Sequence, residues 1–166
     1  KIGYFDEELV RNQDDEFNFR MIKNGYKIFL SQKIISLYYV RASFKKLYKQ
    51  YYQYGYWKVF VNKKHQTVTS IRQLIPLFFV IFIFQGFVTS FFHSYILLLN
   101  LFVLILYSVL AFIFASKVIT NLKNVFLVIL AFLILHLSYG TGYLKGILDF
   151  VVLNKKPVKK SMELSR

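Results

Sequence analysis

QLIPLFFVIFIFQGFVTSFFHSYILLLNLFVLILYSVLAFIFAS, residues 73 to 116, contains no Lys, Arg, Asp or Glu and is long enough to cross a bilayer twice. It decides the fold class. The polar group Thr89, Ser90, His93 and Ser94 divides it, so the pattern predicts one span over about 70–92 and a second over about 95–116. Pro76 falls near the start of the first, where its missing N–H costs little. A third uncharged stretch runs over 124–144, and its apolar character continues to 153. A helix over 124–153 would measure about 45 Å against a hydrocarbon core of about 30 Å. Some bend is therefore expected, with Gly140, Gly142 and Gly146 marking its place.

Working outward, composition agrees. The 166 residues are 56% hydrophobic and 20% aromatic, too apolar for an ordinary soluble domain of this length. The formal charge of +14 could point to nucleic acid, but eight of the 22 Lys and Arg fall between Arg41 and Arg72, immediately before the first span. That position suits anionic lipid on the cytoplasmic side, and nucleic acid is not expected as a partner. The first turn carries no Lys or Arg while Lys117 and Lys123 flank the second, so the first should be external. A single crossing by the third segment, the reading preferred here, leaves the basic tail 155–160 outside against this bias; a re-entrant bend would return it. No cysteine is present, so neither disulfides nor Cys-based metal sites arise.

The residues before the first span have another character. Six of the eight acids lie in the first sixteen positions, and none occurs between Glu16 and Asp149. Asn12 followed by Gln13-Asp14-Asp15-Glu16 reads as a helix start, with Gly25 as its stop. Residues 26–30 and 34–40 are rich in β-branched and aromatic side chains and read as two short strands. Ser43 should cap a long basic-aromatic helix reaching about Lys63, lying in the headgroup region. About seventy residues are few for an independent core, so this part reads as the tail of a larger soluble domain.

Two groups of residues could carry chemistry. The acidic turn may be read as helix punctuation, its acids favouring the dipole and Glu16 pairing with Arg20. Alternatively, one exposed carboxylate there serves as general base toward a hydroxyl. On the next helix Gln50, Gln53, Tyr54 and Trp57 recur at i, i+3, i+4 and i+7 and share a face. Amides suit sugar hydroxyls or phosphates and an indole suits a sugar ring, but an interfacial aromatic belt has the same composition. His136, Lys145 and Asp149 read as packing and pairing residues, and no histidine pair has metal-ligand spacing.

The ordered series Gly3-Tyr4-Phe5-Asp6-Glu7, Arg11-Asn12-Gln13-Asp14-Asp15-Glu16, Asn24-Gly25-Tyr26, Gln53-Tyr54-Gly55-Tyr56-Trp57 and His136-Leu137-Ser138-Tyr139-Gly140-Thr141-Gly142 resembles the C-terminal part of family 2 glycosyltransferases. Within that family it is most similar to the succinoglycan-type exopolysaccharide branch. The resemblance implies the end of a GT-A catalytic domain, an α/β fold, joined to membrane helices. It also implies that Asp14 is the catalytic base of an inverting transfer. Gln13 stands where the family has Glu, and Asp15 could substitute within the pair. Gln53, Tyr56 and Trp57 fall on a Gln-x-x-Arg-Trp acceptor signature, with Tyr56 in place of Arg.

These readings define an α-rich membrane protein: the remnant of an α/β GT-A domain (residues 1–42), a basic-aromatic interfacial helix (43–69), about three transmembrane helices (70–153) and a basic tail (154–166). The resemblance implies a C-terminal fragment of an inverting glycosyltransferase in the inner membrane, multi-pass, with its catalytic part cytoplasmic. Its partners would be a nucleotide-sugar donor, a lipid-linked saccharide acceptor and membrane lipid. Asp14 would act as base, with Asp15, Gln53, Tyr56 and Trp57 toward substrate. A divalent metal, Mg or Mn, is expected in the full-length enzyme through an upstream motif that these residues lack, so the fragment alone should be inactive. The alternative is a non-enzymatic membrane anchor or assembly protein.

Overall fold

The structure, a computed structural model, describes residues 2–40 and 43–157. Its helices are α1 (Gln13–Lys23), α2 (Phe44–His65), α3 (Leu74–Ser90), α4 (Ser94–Val118) and α5 (Leu122–Gly146). A 3₁₀ turn, Ile71–Gln73, leads into α3, and a π-helical segment, Ile147–Val152, continues α5. Residues 41–42, at the expected first boundary, and 158–166 of the expected tail lie outside the described residues.

Three helical stretches, Ile71–Ser90, Ser94–Val118 and Leu122–Val152, are long and apolar enough to cross a membrane. Phe78, Phe84 and Phe87 on α3 and Phe102, Ile105 and Phe114 on α4 are exposed, so the apolar surface that water would reject faces outward. This is an α-helical membrane protein. Gly86 of α3 lies against the Asn100 side chain of α4 and Phe79 stacks on Tyr107 at 4.9 Å, so the two helices form an antiparallel hairpin. His136 of α5 joins that layer. Its Nδ1 lies 2.8 Å from the Phe132 carbonyl oxygen and 3.2 Å from the Tyr107 hydroxyl.

The largest helix–helix interface joins α2 to α5. It is made by backbone on backbone. Gly55 faces the Tyr139 carbonyl, Gly142 faces that of Tyr52, and Gly146 that of Tyr56, while Gly140 takes the Pro76 carbonyl of α3. A Cβ at Gly55 or Gly142 would fall inside the van der Waals envelope of its oxygen. The expected role of Gly140, Gly142 and Gly146 as bend points is thus corrected: the α-helix passes through them, and its geometry changes only afterwards, in the π segment. Close helix approach is what they provide. Gly55→Ala should therefore lower stability by about 1–3 kcal/mol, although Ala is the better helix former by about 1 kcal/mol. A melting curve in detergent checks the sign, and a gain in stability would dismiss the notch.

This packing also sets where the chain returns. The excess length of α5 runs along α2, and residues 154–157 arrive beside Glu8, which shares a cleft with Lys155 and Lys156. The described end of the tail therefore lies beside the loop that precedes α1.

Caps follow the sequence in part. Ser43 accepts from Lys46 N at 3.3 Å and starts α2 as expected. Asn12 precedes α1 with φ 63°, and its side chain makes no cap hydrogen bond. Instead its Nδ2 donates to the Tyr54 carbonyl at 3.0 Å, which ties α1 to α2. The two strands expected over 26–30 and 34–40 do not form. Strand propensity needs a ladder partner, and Phe29, Leu30, Ile34, Ile35 and Leu37 are all exposed with no sheet among the described residues.

Candidate functional site

Three adjacent carboxylates open α1, and their surroundings separate them. Glu16 is buried: Arg20 donates to it from Nε at 3.1 Å and Nη2 at 3.0 Å, and His65 Nε2 lies 2.9 Å away. Arg20 also donates to the carbonyls of Ile2 and Tyr4, so Glu16 fixes the chain that leads into the helix. Asp15 forms an ion pair with Lys58, a buried residue of α2. Asp14 is exposed and carries no hydrogen bond or ion pair among the described residues. All three acids stand in the first turn as the helix-punctuation reading has it, and they differ in their cation partners: Arg20 within the helix for Glu16, Lys58 of α2 for Asp15, and none among the described residues for Asp14.

Asp14 lines an open cleft of about 350 Å³ with Phe5, Arg11, Asn12, Gln13 and Tyr54. Its walls are fixed by polar contacts. Gln13 Nε2 donates to the carbonyls of Leu9 and Asp6, which holds the preceding loop. Arg11 Nε donates to Gln53 Oε1 at 3.2 Å, and Gln50 Nε2 to the Tyr54 hydroxyl at 2.8 Å. Arg11 was not among the residues singled out from sequence. Its adjacency to the acidic turn was the available signal, but its pairing with Gln53, 42 positions away, is a tertiary fact.

The α2 residues divide between two faces. Gln53 turns toward α1 and the cleft through Arg11. Trp57 is 0% exposed, packed on Phe60 and Phe150 at 6.0 Å each and in the same core as Leu9 and Val61. As placed, it offers no ring face to a sugar, because that side of α2 is the one that the glycine contacts seal against α5. Its Nε1 has no hydrogen-bond partner among the described residues. Tyr56 also turns to α5, donating to Asp149 Oδ2 at 3.2 Å. Burial first, and then the Asp149 carboxylate, push the Tyr56 phenol well above the usual tyrosine value, so it stays a neutral donor. Thus Asp14 lines the cleft, Gln53 lies behind it and holds Arg11, Asp15 is tied to Lys58 of α2, and Tyr56 and Trp57 pack toward the end of α5.

The loop before α1 is pinned by one more cation. Lys64 pairs with both Asp6 and Glu8. Burial works against its charge, but the two carboxylates outweigh that and raise its pKa. Among the described residues no group of three or more His, Asp and Glu comes together to hold a metal. With Asp15 and Glu16 already paired to cations, this turn does not suit a divalent ion.

An exposed carboxylate at a helix start thus borders an open polar cleft, in a chain with three helices long and apolar enough to cross a membrane. Over 76 residues, 46% of this chain and 23% of the relative, the chain is 36% identical to the succinoglycan biosynthesis protein ExoA of Rhizobium meliloti. Over 86 residues, 52% of this chain and 26% of the relative, it is 35% identical to the dolichyl N-acetyl-alpha-D-glucosaminyl phosphate 3-beta-D-2,3-diacetamido-2,3-dideoxy-beta-D-glucuronosyltransferase of Methanococcus voltae. The matched segment thus spans about a quarter of each relative's length. No protein-family model and no solved structure matches the chain. The resemblance to glycosyltransferases of polysaccharide and glycan synthesis, including the succinoglycan branch, is found again in these relatives.

Proposed function

We propose that this chain is the acceptor-side and membrane portion of an inverting family 2 glycosyltransferase that builds cell-surface polysaccharide. The supporting observation is Asp14, the one acid of the α1 turn left without a cation partner, facing the cleft between α1 and α2. A sugar hydroxyl is a weak nucleophile at neutral pH. A carboxylate within hydrogen-bond reach takes its proton as the oxygen attacks the anomeric carbon, and the nucleoside diphosphate leaves from the opposite face. Arg11, held by Gln53, borders the approach and suits the acceptor's polar groups. Asp15 holds the helix start against Lys58.

The basic residues of α2 and the three apolar helices support a position of this cleft near a lipid surface, where a lipid-linked acceptor would arrive with its reactive hydroxyl already confined. The donor's nucleotide, and the divalent metal that usually accompanies it, would be held by residues outside this chain. The positive-inside bias supports a cytoplasmic α1 side, and the inner membrane is what the resemblance implies.

The test is a pair of titrations. The 166-residue chain in neutral detergent should give no calorimetric signal with nucleotide sugars, while the full-length protein in membranes should transfer labelled sugar to a lipid-linked acceptor. Nucleotide-sugar binding by the short chain would contradict the division of labour, and a full-length protein without transfer would favour the anchor alternative.

A further inference from the structure

A second cleft, of about 460 Å³, lies on the other flank of the acidic loop, between the last turn of α2 and the segment that follows α5. Lys63, Lys155 and Lys156 line it together with Asn154, Glu8 and the Phe60 ring. Charges around it do not balance. Lys64 takes Asp6 and Glu8, and Lys145 and Lys155 share Asp149 at 3.0 and 2.9 Å. Lys63 has only neutral acceptors, the Phe150 carbonyl at 2.6 Å and Asn154 Oδ1. Lys156 is exposed and has no hydrogen bond or ion pair among the described residues. Two ammonium groups therefore face one cleft without an ion-pair partner among the described residues.

The level of the cleft identifies its occupant. Asn62, next to Lys63, donates to Gln73 Oε1 at 3.2 Å, at the foot of the first apolar helix, and to the Tyr143 hydroxyl at 2.8 Å. Lys63 thus sits where the chain enters lipid. Immediately before Asn154, Val151, Val152 and Leu153 are 57%, 66% and 51% exposed, an apolar edge that a soluble anion would leave wet. Cations above an apolar edge suit an amphiphile with a phosphate head and acyl chains.

We propose that this cleft binds the phosphate of an anionic membrane phospholipid, with Lys63 and Lys156 as its cationic ligands and the apolar edge of residues 151–153 against the acyl chains. The bound lipid bridges α2 to the C-terminal segment and secures the return of the chain to the α1 side. This site is separate from the Asp14 cleft, and its test needs no sugar.

The full chain is purified in neutral detergent with phosphatidylglycerol or phosphatidylcholine, and retained lipid is read by native mass spectrometry. Phosphatidylglycerol should be kept in preference, about one per chain. Lys156→Gln should weaken its retention roughly fivefold, the scale of one lysine at an anionic surface. Lys45→Gln, the same charge change on an exposed residue at the far end of α2, should leave retention within about twofold of the parent. Because Lys156 is exposed and has no hydrogen bond or ion pair among the described residues, its variant should melt as the parent does. Equal losses in both variants would mean diffuse charge attraction and overturn the site, as would equal retention of the two lipids. Full displacement by inorganic pyrophosphate would reassign the cleft to a soluble anion.

Discussion

Asp14→Asn in the full-length protein is expected to lower sugar transfer by roughly a hundredfold to ten-thousandfold, the usual contribution of a positioned general base. Asn is nearly isosteric and Asp14 has no partner among the described residues, so expression, membrane insertion and melting should stay as in the parent. The neighbour behaves differently. Lys58 is 7% exposed, and Asp15→Asn leaves its ammonium buried without a counter-charge, so stability falls first and activity only as a consequence. Comparing the two variants by rate and by melting separates chemistry from support. Full activity in Asp14→Asn removes the base from that position.

Trp57→Ala should cost about 3–5 kcal/mol, the range for deleting a large buried aromatic. The indole lies edge-on to Phe60 and near Phe150, inside the cluster that joins the loop before α1, α2 and the end of α5. Its removal should loosen all three at once, and donor hydrolysis and acceptor transfer in the full-length protein should fall together. Trp57→Phe should keep most of the stability, since the lost Nε1–H has no partner to leave unsatisfied. A selective rise in acceptor KM with an unchanged melting temperature is the result that would restore Trp57 as a sugar-stacking residue.

These two residues show what local sequence can carry. Both belong to the series of motifs that resembles glycosyltransferases, and both suit substrate contact by residue type. Their fates differ because Asp14 sits at a helix start, where exposure is the rule, whereas the outlook of Trp57 depends on which side of α2 meets another helix. Aromatic and amide residues at helical spacing define a face but not its neighbour. The strands over 26–40 failed for a related reason: β propensity describes a fit to a sheet, and the described chain supplies no sheet to fit.

The sequence by itself determined the membrane class, the approximate limits of the apolar helices, the Ser43 cap and the acidic helix start, because hydropathy, charge and capping act over one or two turns. Only the tertiary structure decided which acid is left unpaired, that Trp57 and Tyr56 face inward, and that the described tail returns beside Glu8. All three follow from helix-on-helix contact. Gly55, Gly142 and Gly146 let α2 and α5 touch through their backbones, and the partner of a glycine is set by geometry in space that no residue spacing along the chain encodes.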